Sequence, residues 1–216
     1  MSVDDSRAIE RPGVDWRRAE FVLTLLAFLG FVTVAVRITT VYSGLPAHPL
    51  FVHVPVILIP TAVIAAVVLM VRTDWFGRYG IALSLVSIVA MSSIFLTMQA
   101  GSALRSELHL QGEAATLISE HSQAANILAL VFTAFTAVLI LTFAAYRISG
   151  GRPTGLGIAD RMLGSRSAFS TLRILLVVLA LGAGFMTFRT GDLGAKAVWA
   201  GRLHAAQGEP AKPAEP

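Results

Sequence analysis

The sequence predicts an all-α, polytopic transmembrane helix bundle of five spans, a four-helix core preceded by an N-terminal helix. Three observations predict it. Charged residues make up only 14% of the 216 and hydrophobic residues 55%, whereas a soluble domain carries about 25% charged residues. The mean hydropathy is +0.72, a value that excludes an ordinary soluble enzyme and any disordered or collagen-like chain. The apolar residues are also gathered into runs of about 20, the length that crosses a bilayer as a helix.

The elements follow in order. Residues 1–20 form a tail in which Asp4, Asp5, Glu10, Asp15 and Glu20 are scattered among arginines. The first span covers Phe21 to about Thr40, within a segment 21–42. Its acidic leader and the lack of a small-x-small site favour a retained anchor over a cleaved signal peptide. The second span is Leu50–Val71, the third Gly80–Ala100, the fourth Ala124–Tyr146 and the fifth Leu172 to about Thr190. Arg173 and Arg189 bound a short uncharged core in the last span, so they are expected to snorkel to the headgroups. Between Ala100 and Gln123 the pattern predicts a short surface helix carrying Ala103, Leu104, Leu108 and Leu110, weakened by Gly112. Residues 150–170 read as a loop rich in Gly and Arg. Its Gly155-Leu156-Gly157 is too short for a phosphate loop. Residues 44–204 form one membrane domain, and residues 205–216 a disordered tail rich in Pro, Ala and Glu. No internal repeat is evident.

Basic residues set the orientation. With the N-terminus in the cytoplasm, the inner side holds Arg7, Arg11, Arg17, Arg18, Arg72, Arg78, Arg147, Arg152, Arg161, Arg166 and Arg173. The outer side holds Arg37, Arg105, Arg189, Lys196, Arg202 and Lys212. The excess predicts a multi-pass membrane protein, N-terminus inside and C-terminus outside. Its partner is then the lipid bilayer, with other membrane proteins as further candidates. The pI near 10.1 needs no nucleic acid to explain it.

The chain has no cysteine, which excludes thiolate metal sites and covalent haem attachment. No Gly-x-Ser-x-Gly, His-Glu-x-x-His or P-loop pattern occurs, so no catalytic residue is expected. The spans lack Asp, Glu and Lys in their interiors, whereas a proton-coupled transporter usually carries an intramembrane carboxylate. Ser84, Ser87, Ser92, Ser93, Thr97, Thr133, Thr136 and Thr142 are expected to hydrogen-bond and pack between helices.

The histidines are the candidate site. His48, His53, His109, His121 and His204 all fall on the outer side of this topology. His48 and His53 are five residues apart, which on a helix turns their rings about 140° from each other. They cannot chelate one ion from a regular helix. His53 and His121 stand at similar depth near the starts of two spans. They are the expected axial ligands of one haem b iron, with His48 and His109 as the alternative ligands. Ala124, Ala125, Ala129, Gly182, Ala183 and Gly184 are small enough either to leave room for a ring or to pack helices closely. A loop carboxylate such as Glu120 would orient an imidazole. A competing constellation is His109 with Glu113, four residues apart, which suits zinc, iron or manganese.

Several of these residues also carry a family resemblance. Gly44-Leu45-Pro46-Ala47-His48-Pro49, followed by Val52-His53-Val54-Pro55, resembles the opening of the bacterial membrane proteins grouped as domain-of-unknown-function family 2231. His121 matches a histidine at the start of that family's third span. Thr190-Gly191-Asp192-Leu193-Gly194-Ala195 matches its late Thr-Gly-x-Leu-Gly-Gly signature, with Ala195 replacing the second Gly. The late histidine, His204, is displaced from the family's usual place. The resemblance covers residues 44–204 and implies a four-helix core in a bacterial cytoplasmic membrane, with cytochrome-type proteins as further partners. It also implies haem binding, through the histidines and the pairing of some members with cytochrome-like domains. Three functions remain in play: a haem b protein for electron transfer or redox sensing, a cofactor-free structural or assembly subunit, and a metal-ion binding or transport protein.

Overall fold

The computed structural model describes residues 41–42, 45–108, 111–151 and 157–207. The expected Phe21–Thr40 span, His109 and the tail beyond Gln207 lie outside the described residues. A two-residue strand β1 (Val41–Tyr42) pairs antiparallel with β2 (Leu45–Pro46). Then come α1 (Ala47–Phe51), α2 (His53–Val71), α3 (Thr73–Glu107), α4 (Gly112–Ser149), α5 (Gly157–Leu163) and α6 (Arg166–Gln207). The chain is therefore an all-α bundle. Among the described residues, four segments are long and apolar enough to cross a membrane: Ala47–Val71, Thr73–Glu107, Gly112–Ser149 and Arg166–Trp199.

α1 and α2 make one crossing, interrupted at Val52. Pro55 has no N–H for the carbonyl four residues back, which loosens the ladder there. The chain stays helical through the break. Val52 has φ −60° and ψ −25°, and its N–H donates to the His48 carbonyl at 3.1 Å.

The other helices outlast their apolar runs. α3 continues through residues 101–107 and α4 begins at Gly112, so no separate surface helix occupies 101–123. Gly112 is where the second helix starts, with φ +63°, a conformation that other L-residues disfavour. A helix that leaves hydrocarbon has no reason to stop until its sequence stops it, and polar residues add turns readily in water.

α2 packs on α3 and α6, and α4 also packs on α3 and α6. The four long helices thus form a ring in which α2 and α4 are diagonal. The inward positions alternate steps of four and three residues, the repeat of left-handed helix packing. In α3 they are Phe76, Gly80, Leu83, Ser87, Ala90, Ile94 and Thr97. In α2 they are Pro55, Ile59, Ala62, Ala66 and Leu69. Large residues such as Ile57, Ile64, Leu130 and Phe188 are exposed and face outward. Small residues mark the inside because lipid tails are as apolar as leucine, so close approach is what holds such helices together.

Arginine-bearing helix ends gather at one end of the bundle, above a set of aromatic rings. Phe76 lies 5.5 Å from both Phe143 and Tyr146, and Tyr146 lies 6.0 Å from Phe169. Arg173 does not reach outward as expected. Its guanidinium donates to the Met70 carbonyl near the end of α2 and stands over the Phe169 ring. Cations are favoured at helix C-termini for this reason.

The hydroxyls also differ from expectation. Ser84, Ser92, Thr97, Thr136 and Thr142 bond to carbonyls four residues back in their own helices, and Ser93 to one three back. A short side chain reaches its own ladder before it reaches a neighbour. Ser87 Oγ and Thr133 Oγ1 are buried without a partner among the described residues, so neither hydroxyl ties two helices. Ala124, Ala129 and Ala183 are buried. A Cβ at Gly182 would stand 3.6 Å from Val131, and one at Gly184 3.6 Å from Val63. Those residues therefore serve close helix contact.

Candidate functional site: a histidine pair on the bundle axis

The opposite end of the bundle holds the start of α2, the end of α3, the start of α4 and the later part of α6. Extending the inward register of α2 backwards from Pro55 passes Val52 and reaches His48. Extending that of α4 backwards from Ala124 reaches His121. Both histidines are half-buried. They approach across the diagonal, with ring centroids 6.2 Å apart and planes at 84°.

Each ring is anchored to a helix it does not belong to. His48 Nδ1 lies 3.0 Å from the Thr97 carbonyl on α3. His121 Nδ1 lies 2.9 Å from the Thr190 carbonyl on α6. A carbonyl oxygen only accepts, so each Nδ1 carries the hydrogen and each Nε2 of a neutral ring is a bare lone pair. Neither Nε2 has a hydrogen-bond partner among the described residues. A fixed Nδ1–H and a free Nε2 is the arrangement of a metal-ligating histidine.

The expected partner of His121 was His53. The structure brings His121 to His48 instead. His53 is exposed, and its Nδ1 lies 3.3 Å from the Leu50 carbonyl of its own helical turn. The physical reason is register. Val52 and Pro55 occupy inward positions, so position 53 points away from them. Glu120 is exposed, and the Thr190 carbonyl orients His121. Glu113 is exposed in the first turn of α4. Among the described residues, no three His, Asp or Glu side chains cluster to hold an ion.

Sequence reasoning missed Thr97, Gly101, Thr190 and Gly194 as site residues. Gly101 lies flush against the His48 ring, where a Cβ would fall 2.9 Å from Nδ1. Gly194 lies against His121, where a Cβ would fall 3.1 Å from Cε1. The available signal was the common spacing Thr-x-x-x-Gly at 97–101 and 190–194.

A family model described as a predicted membrane protein, DUF2231, matches residues 44–207. The chain belongs to that family. The match spans both histidines and both Thr-x-x-x-Gly segments, so the whole paired site lies inside it. Neither a curated protein nor a solved structure matches the chain. Membership makes it a predicted membrane protein, in keeping with its four long apolar helices.

Proposed function

We propose that this membrane protein holds the iron of a haem b between His48 and His121 and moves electrons or senses redox state. The observation that carries this is the pair itself, two imidazoles on diagonal helices with Nδ1 hydrogens committed to backbone carbonyls. A metal bound in line by one nitrogen of each ring, at about 2.0 Å, puts the ring centres about 6.3 Å apart. The rings stand at 6.2 Å, a separation that matches this spacing. Two imidazoles leave a zinc ion short of the four ligands it takes in structural sites. A haem would need only two donors from the protein, and His48 and His121 would supply them. The two-donor set therefore favours haem over a bare ion. When bound, the iron supplies one-electron chemistry. The chain's own contribution is to hold both imidazoles neutral and aligned.

The test is the reduced-minus-oxidised spectrum of detergent-purified protein produced with ample haem. A Soret band with the sharp visible bands of six-coordinate iron is expected. Purified, folded protein without a Soret band overturns the reading.

The arginine asymmetry supports an orientation with the histidine end outside the cytoplasm. A reporter fused at Gly150 is expected to read cytoplasmic, and one fused after Gln207 external. The reverse pattern would place the site at the cytoplasmic face.

A further inference from the structure

The residues around the two rings repeat. Among the four described crossings, His48 begins the first, and the second carries Thr97-Met98-Gln99-Ala100-Gly101. His121 lies near the start of the third crossing, and the fourth carries Thr190-Gly191-Asp192-Leu193-Gly194. In each half the threonine hydroxyl bonds four residues back, Thr97 to Ser93 at 2.8 Å and Thr190 to Met186 at 2.7 Å. In each half the threonine carbonyl receives an imidazole Nδ1–H from the preceding crossing. In each half the glycine four residues on leaves a bare Cα against that imidazole.

The spacing of four has a reason. The carbonyl of residue i in a helix is already aimed at the N–H of residue i+4. A second donor must approach beside residue i+4, where its Cβ stands. Glycine opens that route, and a Cβ narrows it. At Gly101 an added Cβ would lie 2.9 and 3.0 Å from His48 Nδ1 and Cε1, and at Gly194 3.1 and 3.2 Å from His121 Cε1 and Nδ1. The order of neighbouring helices shares the pattern, although α4 packs on α6 far more extensively than α2 on α3; α3 also packs on α4, and α6 on α2. A two-fold axis along the bundle satisfies all four contacts, and the two rings meet across the bundle diagonal.

We propose that His48–Thr97–Gly101 and His121–Thr190–Gly194 are two copies of one positioning unit, related by that axis. Gly101 and Gly194 are the positioning residues that fix the Nδ1–H tautomer of both rings. Together the copies present two bare Nε2 lone pairs, a site for a single metal cation, as a bare ion or as a haem iron. It deepens the haem reading above, which rests on the same pair, but its test needs no bound metal.

The experiment is nitrogen-15 NMR of the full chain, labelled at histidine, in lipid bilayers at mildly alkaline pH with no metal or haem added. His48→Gln and His121→Gln assign the two rings by loss of their signals. Both rings are expected as Nδ1–H, the minority tautomer of free imidazole in water. Gly101→Ala should move only the His48 signals to the Nε2–H pattern, and Gly194→Ala only those of His121. Gly182→Ala, whose Cβ would make an ordinary contact at 3.6 Å from Val131 and touch neither ring, should move neither. Wild-type rings in the Nε2–H form would overturn the proposal without reference to any variant. Retention of Nδ1–H in both glycine variants would overturn it as well. Nδ1–H rings in a protein that shows no Soret band would uphold it while removing the haem reading.

Discussion

Replacing Gly80 with leucine is expected to prevent stable folding of the bundle. A Cβ at position 80 already stands 2.6 and 2.8 Å from Phe143 Cδ2 and Cε2, and 3.1 Å from Phe76 Cε2. Neither ring has room to yield. Phe76 is wholly buried, Phe143 nearly so, and they meet edge to face at 5.5 Å. Overpacking a tight core costs about 1–3 kcal/mol and sometimes more. Gly80→Ala should fall within that range, and Gly80→Leu beyond it, because three further carbons must enter the α3–α4 contact. Gly182→Ala is the contrast, with its new methyl in ordinary contact at 3.6 Å from Val131, and should change thermal stability little. Thermal unfolding in detergent measures all three. Equal melting temperatures for Gly80→Ala and Gly182→Ala would mean that α3 and α4 are not held this closely.

His48→Ala and His121→Ala should each abolish the six-coordinate haem spectrum, and His53→Ala should leave it intact. Each of the first two removes half of the donor set. No other described His, Asp or Glu side chain joins the pair as a replacement. His53 is exposed, and its ring turns to the Leu50 carbonyl. Losing it takes nothing from the axis. The spectra of the three variants decide the ligands: a spectrum lost in His53→Ala and kept in His48→Ala would restore the pairing expected from sequence alone.

The crossings were legible because the bilayer demands long apolar runs, and those are visible as composition. Their ends were not. Gly112 looked like a helix breaker and is a helix start. The polar segments 101–107 and 112–123 extend α3 and α4 beyond their apolar runs. Inward faces were harder still. A helix apolar all round, such as α2, has no polar side to mark its outside, so hydrophobicity does not orient it. The mark was the four-three spacing of small and buried residues, which runs from Leu69 back to Pro55 and onward to His48. Comparing His48 with His53 by rotation correctly separated the two rings. It could not say which one faces inward. The glycines were noticed where they only pack, at 182 and 184. At 101 and 194 their meaning depends on a ring from another helix, and a linear reading carries no information about that contact.

The meeting of His48 with His121 is open to a measurement that needs neither haem nor metal. The chain has no cysteine, so a His48→Cys/His121→Cys variant carries only the two thiols of interest. A His53→Cys/His121→Cys variant provides the comparison. Each is treated in membranes with a short bifunctional thiol reagent, then cut at a protease site inserted between Leu108 and Gln111. The 48–121 pair is expected to link efficiently and keep the two halves of the chain together on a denaturing gel, while the 53–121 halves separate. Linkage of 53 with 121, and none of 48 with 121, would contradict the axis pairing.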